Sequence, residues 1–494
     1  MTNLIQLSRQ TLAQLPADIA RPAFDPAAIR PGIVHLGLGG FHRAHMARYT
    51  HDLMSMRPDS LQWGIIGVGL MPGDLRMREA LAPQHGLYTL VERQESRESA
   101  TVIGSLVDVL YAGQSSATAL DAIDNPAIRI VSLTVTESGY CLNSATKRLD
   151  PTHPAIMHDL AHPEQPRSVI GIIVEAYRRR MLAGHSAITV LTCDNIQHNG
   201  TVVRNAVLAL AQLRDPQLAT WIENNARFPN TMVDRITPVT TSDDIGYLAS
   251  RYRVEDRWPV FSEIFKQWVI EDDFVERRPA WEDVGAQFVQ DVAPYEFMKL
   301  RLLNASHLAI AGLGRLAGYN YIDETLRDGL FRSYMWALMD RETGPTVPPV
   351  PAVDLEAYKT QLLERFTNSK IKDTVERVNN DAPINLLIDP IRDRRKTAAS
   401  VDLLALALAA WMRRVRGEDE LGQPIHVKHP LATQLRSRAI EGGADPRPLL
   451  AITALFGELA DDQPFVSTLQ QWLRSLYDMG AKATLLSARQ RLRF

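Results

Sequence analysis

The chain has 494 residues, with 54 basic against 57 acidic side chains and a net charge of −3. That length exceeds one ordinary core and predicts two or three domains, while the near-balance of charge excludes a global field for nucleic acid or an anionic membrane. The two cysteines, Cys141 and Cys193, exclude a disulfide framework and a cysteine-rich zinc or iron–sulfur site, and fit a reduced, cytoplasmic setting. Residues 1–21 are mixed polar, unlike a signal peptide. No apolar run reaches the ~20 residues of a membrane span.

In chain order, Ile33-Val34-His35-Leu36 is a short β-prone run. It leads straight into Gly37-Leu38-Gly39-Gly40-Phe41-His42 and a helix over 43–56. Strand, glycine turn and helix is the context of a dinucleotide fingerprint. Gly37 permits the tight turn, and Gly39 and Gly40 let the backbone approach a pyrophosphate held by N–H groups of the helix start. His42 stands where the usual third glycine would be, and its imidazole is a candidate phosphate donor. The same glycines also suit an ordinary turn. The second strand, 63–69, lacks the usual acidic residue for the adenosine ribose. Asp74 in the following loop is the candidate, and equally the N-cap of a helix over 75–81. Arg76 and Arg78 leave NADP open beside NAD.

Residues 87–92 and 100–108 alternate like the strands of a hairpin. The β-branched run 128–137 is expected as a parallel strand buried on both faces; it ends in Thr136-Glu137-Ser138-Gly139. Segment 141–167 is loop-rich, and a helix follows over 168–181. Another buried strand, 187–192, delivers Cys193-Asp194-Asn195-Ile196-Gln197-His198-Asn199-Gly200 and a helix over 201–213. Open α/β sheets place ligands at the carboxyl ends of such strands. Asn195 is a candidate amide donor to an oxyanion, whereas Asp194 and Asn199 read as turn and cap residues. No ligand-spaced partners accompany Cys193 and Asp194, so no metal is expected.

Val233-Asp234-Arg235 sets a charged pair in a short extended segment. Then Pro294-Tyr295-Glu296-Phe297-Met298-Lys299-Leu300-Arg301-Leu302-Leu303-Asn304-Ala305-Ser306-His307 puts an ammonium, a carboxamide and an imidazole into an apolar run. On an α-helix Asn304 lies about 140° around from Lys299 and His307 about 80°, while Arg301, at about 200°, points away. Such a trio can deprotonate an alcohol and hold the resulting oxyanion; the same spacing also describes an amphipathic helix with ordinary polar positions. Beyond Gly318 the β-branched runs disappear. Helices are predicted over 324–339, 354–366, 371–377, 401–416, 430–439, 447–459 and 465–479, with 343–351 a proline-rich surface loop. The fold class is α/β: a Rossmann-type dinucleotide-binding domain over 1–290, then a mostly α-helical substrate domain over 291–494, with the Lys299 stretch near their join.

Taken together these stretches resemble the long-chain polyol dehydrogenase/reductase family, which spans mannitol 2-dehydrogenases and the hexuronate reductases. The resemblance runs from about residue 32 to about residue 486. It rests on Gly37-Leu38-Gly39-Gly40-Phe41-His42-Arg43-Ala44-His45, Ser132 to Cys141, Cys193-Asp194-Asn195, Asn199-Gly200, Met232-Val233-Asp234-Arg235-Ile236, Gln267-Trp268-Val269 and Lys299 to His307. It implies a zinc-independent, NAD-dependent oxidoreductase that interconverts a polyol of mannitol, arabinitol or sorbitol type and its ketose. By the same resemblance Lys299 is the general acid/base and Asn195 with Asn304 forms the oxyanion hole. His307 orients the substrate, Asp234 and Arg377 contact it, and Gly37, Gly39 and Phe41 serve the cofactor. A lysine of ordinary pKa ~10.4 needs burial or a neighbouring cation to work near neutral pH. Glu137, at a strand end, is a candidate proton relay.

One departure from the family pattern matters. Where a basic residue usually follows the arginine, this chain has Asn385, and a missing cation disfavours a uronate carboxylate. A hexuronate reductase is the alternative within the family. Tyr295 and Lys299 also spell the Tyr-x-x-x-Lys pair of short-chain dehydrogenases, and a non-catalytic NAD-binding sensor is the reading from another class. The expected partner is a small molecule, with no nucleic acid and no membrane, and the chain is expected as a monomer or small homo-oligomer.

Overall fold

The computed structural model describes residues 4–143 and 146–494. Residues 1–3 of the predicted polar N-terminus and 144–145 of the predicted loop-rich segment lie outside the described residues. Contacts divide the chain into two units, Met1–Ala293 and Pro294–Phe494.

In the first unit an all-parallel sheet of five strands runs in the order Leu106–Tyr111, Gly64–Gly69, Pro31–Leu36, Ile130–Leu133 and Thr189–Thr192. Successive residues of the inner strands enter opposite cores. Val34, Val131 and Val190 pack with the helices Val169–Leu182 and Asn199–Arg214, while Ile33, Ile130 and Leu191 pack with the helix Met46–Met56. Both faces are covered, so the strands read as continuous apolar runs instead of alternating ones. The chain starts in the middle strand, builds one side, and returns to build the other. The order therefore reverses at Pro31–Leu36, and the crevice outside the carboxyl ends there is the place where open α/β sheets take ligands.

A second sheet holds the predicted hairpin, Tyr88–Gln94 against Arg97–Ile103. The second arm is shorter than expected. Gly104 and Ser105 interrupt it, and Leu106–Tyr111 joins the parallel sheet instead. The predicted loop 141–167 also contains the helix Pro154–Ala161, with proline at its first position and the His153 side chain as cap.

The second unit is helical. Its first helix is α-helical over Ala293–Met298, π-helical over Lys299–Asn304, and α-helical again over Ala305–Leu316. The helix Asp402–Arg414 is apolar nearly all round and buried along almost its whole length, as such a helix must be. Its first N–H groups, from Leu403 and Leu404, donate to Glu342, which is 3% exposed in a second π turn, Met339–Thr343. Several expectations fail here, and the helices predicted over 324–339 and 447–459 are each broken into shorter ones. The helix predicted at 371–377 begins only at Val375, because Thr374 caps it and pairs with Tyr321 as an isolated antiparallel bridge. The helix Asn385–Lys396 was not predicted; Pro390 lies inside it, where a proline normally ends a helix. The last helix, Gln463–Leu492, overruns its predicted end and kinks at Gly480, φ +79. No helix of the described residues is long and apolar enough to cross a membrane.

Candidate active site

The strand Pro31–Leu36 ends in Gly37 at φ +93, where a Cβ would lie 2.3 Å from the Thr134 carbonyl oxygen. Only glycine meets both the conformation and the close strand. The Thr134 hydroxyl donates to the Gly37 carbonyl and fixes the turn. A Cβ at Gly39 or Gly40 would meet nothing closer than 3.8 or 3.7 Å, so the backbone is open to close approach at this point. Phe41 follows, half-buried and stacked on His45.

His42 is buried. Its ring is 1% exposed and stacks on His35 with centroids 3.4 Å apart. Both ring nitrogens are sealed from solvent and lack a hydrogen-bond partner among the described residues. Burial first, then His35, His45 and Arg43, pushes its pKa well down. The ring is a neutral spacer between strand and helix, where a third glycine would let the two close up.

Asp74 opens the helix Asp74–Leu81, yet its carboxylate turns back, accepting from Leu70 N–H at 2.9 Å and Met71 N–H at 2.8 Å. The N-cap position belongs to Gly73. A carboxylate thus stands at the end of the second strand, supplied by the next helix instead of the strand itself.

At the other strand ends two buried polar side chains act as anchors. Asp194 accepts from Val135 N–H at 3.1 Å, Thr136 N–H at 2.8 Å and the Tyr140 hydroxyl. It fixes the loop after Ile130–Leu133, including Thr136 at φ 64, ψ 167, a conformation otherwise reserved for glycine. The Asn199 amide donates to the Asp194 and Thr231 carbonyls, both at 3.0 Å, and its oxygen accepts from Thr231 N–H. Both residues bond across segments, which turn and cap expectations do not capture. Asn195 lies between them in sequence and is exposed. Glu137 is exposed too, paired with Lys147 at 2.7 Å. Asp234 is 5% exposed at the end of Thr231–Asp234. Its neighbour Arg235 bonds the Ala44 and Glu263 carbonyls and Glu92, tying that strand end to the glycine-turn helix.

In the helical unit Lys299 is 8% exposed, and Asn304 and His307 are half-buried. Ala305 N–H bonds the Leu300 carbonyl, five residues back. A π turn takes up an extra residue, so Asn304 comes back to the side of Lys299 one turn on, instead of the about 140° that α spacing gives. Arg301, read as pointing away from that face, is 7% exposed and pairs with Asp393 at 2.6 Å, fastening the π turn to the helix Asn385–Lys396. The Tyr295 hydroxyl donates to the Pro351 carbonyl at 2.9 Å, and burial raises its pKa, so it holds its proton near neutral pH. Glu296, 6% exposed, sits three residues before Lys299 and is its neighbour on the helix. Sequence reading passes over it, because a helical glutamate looks like a surface residue; the i, i+3 spacing to Lys299 was the available signal.

His307 stacks on Phe366 with centroids 4.4 Å apart, and its Nε2 lies 3.4 Å from Asp373 Oδ2. Arg377 donates to the same carboxylate through Nε at 2.7 Å and Nη2 at 2.6 Å. Burial works against the Arg377 charge, but Asp373 more than offsets it and holds the guanidinium pKa above its ordinary value. Asn385 is exposed at the start of its helix. Among the described residues no group of three or more His, Cys, Asp or Glu side chains is arranged to hold a metal ion.

Residues 31–283 match the family model described as the mannitol dehydrogenase Rossmann domain, and residues 291–477 match the mannitol dehydrogenase C-terminal domain. The chain is 41% identical over 490 residues to mannitol dehydrogenase 2 of Saccharomyces cerevisiae, covering 98% of this chain and 97% of that protein. It is 43% identical over 482 residues to D-mannonate oxidoreductase of Escherichia coli, covering 96% and 98%. Among solved structures, mannitol 2-dehydrogenase of Pseudomonas fluorescens in a ternary complex with NAD and D-mannitol superposes with a TM-score of 0.89 at 41% identity, covering 99% of this chain and all of that one. With both domain models matched in order and relatives aligned over nearly their full length, the chain belongs to the mannitol dehydrogenase family.

Proposed function

We propose that the chain is an NAD-dependent dehydrogenase that interconverts a polyol of mannitol, arabinitol or sorbitol type and its ketose. The observation that carries this reading is Lys299, a buried lysine on a π turn with Asn304 one turn on, in a chain 41% identical to an enzyme solved with NAD and D-mannitol. NAD, when bound, accepts the hydride from the carbinol carbon. Lys299 takes the hydroxyl proton as the carbonyl forms, and returns it in ketose reduction. Asn304 and Asn195 donate amide N–H groups to that oxygen as negative charge builds on it. His307, Asp234 and Arg377 orient the remaining hydroxyls. Gly37, Gly39, Gly40 and Phe41 line the pyrophosphate, and Asp74 takes the adenosine ribose, which favours NAD because a 2′-phosphate would meet a carboxylate. Glu137 was the first candidate for exchanging a proton with Lys299. Glu296 is better placed, being buried and adjacent on the same helix. We place the protein in the cytoplasm, as a monomer or small homo-oligomer; its two thiols are buried and unbridged.

The 43% identity to a D-mannonate oxidoreductase favours a second reading, hexuronate reduction. Against it, Asn385 brings no charge for a uronate carboxylate. Initial rates with NAD and NADP across D-mannitol, D-arabinitol, D-sorbitol, D-fructose, D-fructuronate and D-tagaturonate separate the two. Turnover of polyol and ketose with NAD is expected. Turnover confined to the hexuronates gives the second reading, and none with either cofactor overturns both in favour of a non-catalytic NAD-binding protein.

A further inference from the structure

Asp373 has no role in the chemistry above, yet it is the one carboxylate described as meeting both His307 and Arg377. It is 7% exposed, and its backbone is pinned by the Ile322 N–H, which donates to its carbonyl at 3.0 Å. Both of its oxygens are occupied by the Nε and Nη2 edge of Arg377, and Oδ2 also faces His307 Nε2 at 3.4 Å. A bidentate carboxylate fixes the plane of a guanidinium as well as its position. It leaves Nη1, 3.6 Å from Asp381, as the remaining edge. The same negative charge favours a proton on the imidazole nitrogen that faces it, and so sets which tautomer His307 presents. The Phe366 ring fixes the imidazole from its face. Arg377 is more than half exposed and would otherwise be a long, mobile side chain.

We infer that Asp373 is a positioning residue for the polyol: it locks the Arg377 guanidinium and the His307 imidazole in one fixed relation, so that substrate hydroxyls meet a rigid pair. The inference rests on the proposed roles of Arg377 and His307.

The test is a double-mutant cycle on the full-length enzyme, with D-mannitol oxidation and D-fructose reduction as readouts. Asp373→Asn keeps the shape and removes the charge. It is expected to raise the sugar KM about tenfold, with the KM for NAD unchanged and kcat altered less than KM. In an Arg377→Ala background the same change is expected to have little further effect on KM, because its target is gone. A purely structural role would give additive losses and move the KM for NAD in parallel; that result overturns the inference. Asp373→Glu, which keeps the charge on a longer arm, is the second variant should the asparagine protein fail to fold, and it is expected to raise KM less than Arg377→Ala does. If Arg377→Ala raises the sugar KM while neither Asp373 variant does, the inference alone fails. If Arg377→Ala and His307→Ala both leave it unchanged, the reading of the site fails and takes the inference with it.

Discussion

The two units hold their candidate site side chains by opposite means. In the nucleotide-binding unit Asn195 sits on a loop, and its place is set from outside by Asp194 and Asn199, buried side chains that bond to other segments. The adjoining loop after Ile130–Leu133, held by the same Asp194, stores strain at Thr136. In the helical unit Lys299, Asn304 and His307 follow one another on a single helix, and spacing along that helix sets their relation. A loop therefore depends on a few buried anchors, whereas a helix depends on the count of residues between its side chains. One broken anchor should disturb a whole loop, but a single side chain removed from the helix should cost its own chemistry and little else.

The largest effect is expected at the helix. Lys299→Ala should lower kcat about 10²–10⁴-fold, with cofactor affinity, measured by fluorescence titration, unchanged. Tyr295→Phe beside it should leave kcat within about twofold, because the hydroxyl is already given to Pro351; the reverse pattern would hand the proton to the tyrosine. Next is the anchor of the loop. Asp194→Ala strands two backbone N–H groups and a tyrosine hydroxyl, and should cost about 3 kcal/mol in a denaturant melt while also lowering kcat. A loss of stability alone would show that the anchor does not reach Asn195.

Glu342 sharpens the comparison from the helical side, since it too is a buried carboxyl serving backbone N–H groups. Burial raises its pKa to about 7, against the Leu403 and Leu404 N–H groups and Arg394, which lower it. The folded state then keeps a proton that the unfolded chain gives up near pH 4.5, so this group's stabilisation is full below about pH 4.5 and is lost as pH rises towards 7. Thermal melts of the wild type and Glu342→Gln across pH 5–7 should diverge by about 2 kcal/mol, with the glutamine protein the flatter. The smallest effect is at Thr136. Thr136→Gly relieves a β-branched residue of a glycine conformation and should raise stability by about 1 kcal/mol. A fall would mean that the threonine side chain, whose hydroxyl lies 3.0 Å from that of Ser138, contributes more than the strain costs.

The same contrast decides what was legible in the sequence. The α/β class followed from the β-branched runs and their disappearance after Gly318, because burial on both faces of a parallel sheet leaves a compositional mark. The hairpin was legible, but not the break at Gly104-Ser105, since a strand that changes sheets looks continuous in one dimension. Pro390 hid a helix that tertiary packing sustains through Leu387, Ile388 and Ile391. Lys299, Asn304 and His307 could be placed on one helix, but not in their true relation, because the angular arithmetic assumes α geometry throughout. The ties of Asp194, Asp373 and Arg301 were out of reach for a simpler reason. Each joins residues brought together only by folding, and nothing in local spacing records that.

The π turn at Lys299–Asn304 can also be seen as a matter of length. It is an α-helix carrying one residue more than α winding takes up, absorbed without unwinding the ladder. Wound as α throughout, the same residues would set Lys299 about 140° from Asn304, whereas the π turn absorbs the extra residue and keeps the α segments on either side in phase. Removing one residue between Leu300 and Leu303 would let the hydrogen bonds close as α with the lysine and the asparagine four residues apart, about 40° round and still on one face. The relation between these two side chains is therefore expected to survive a one-residue deletion, but not a rewinding of the turn to α at its present length.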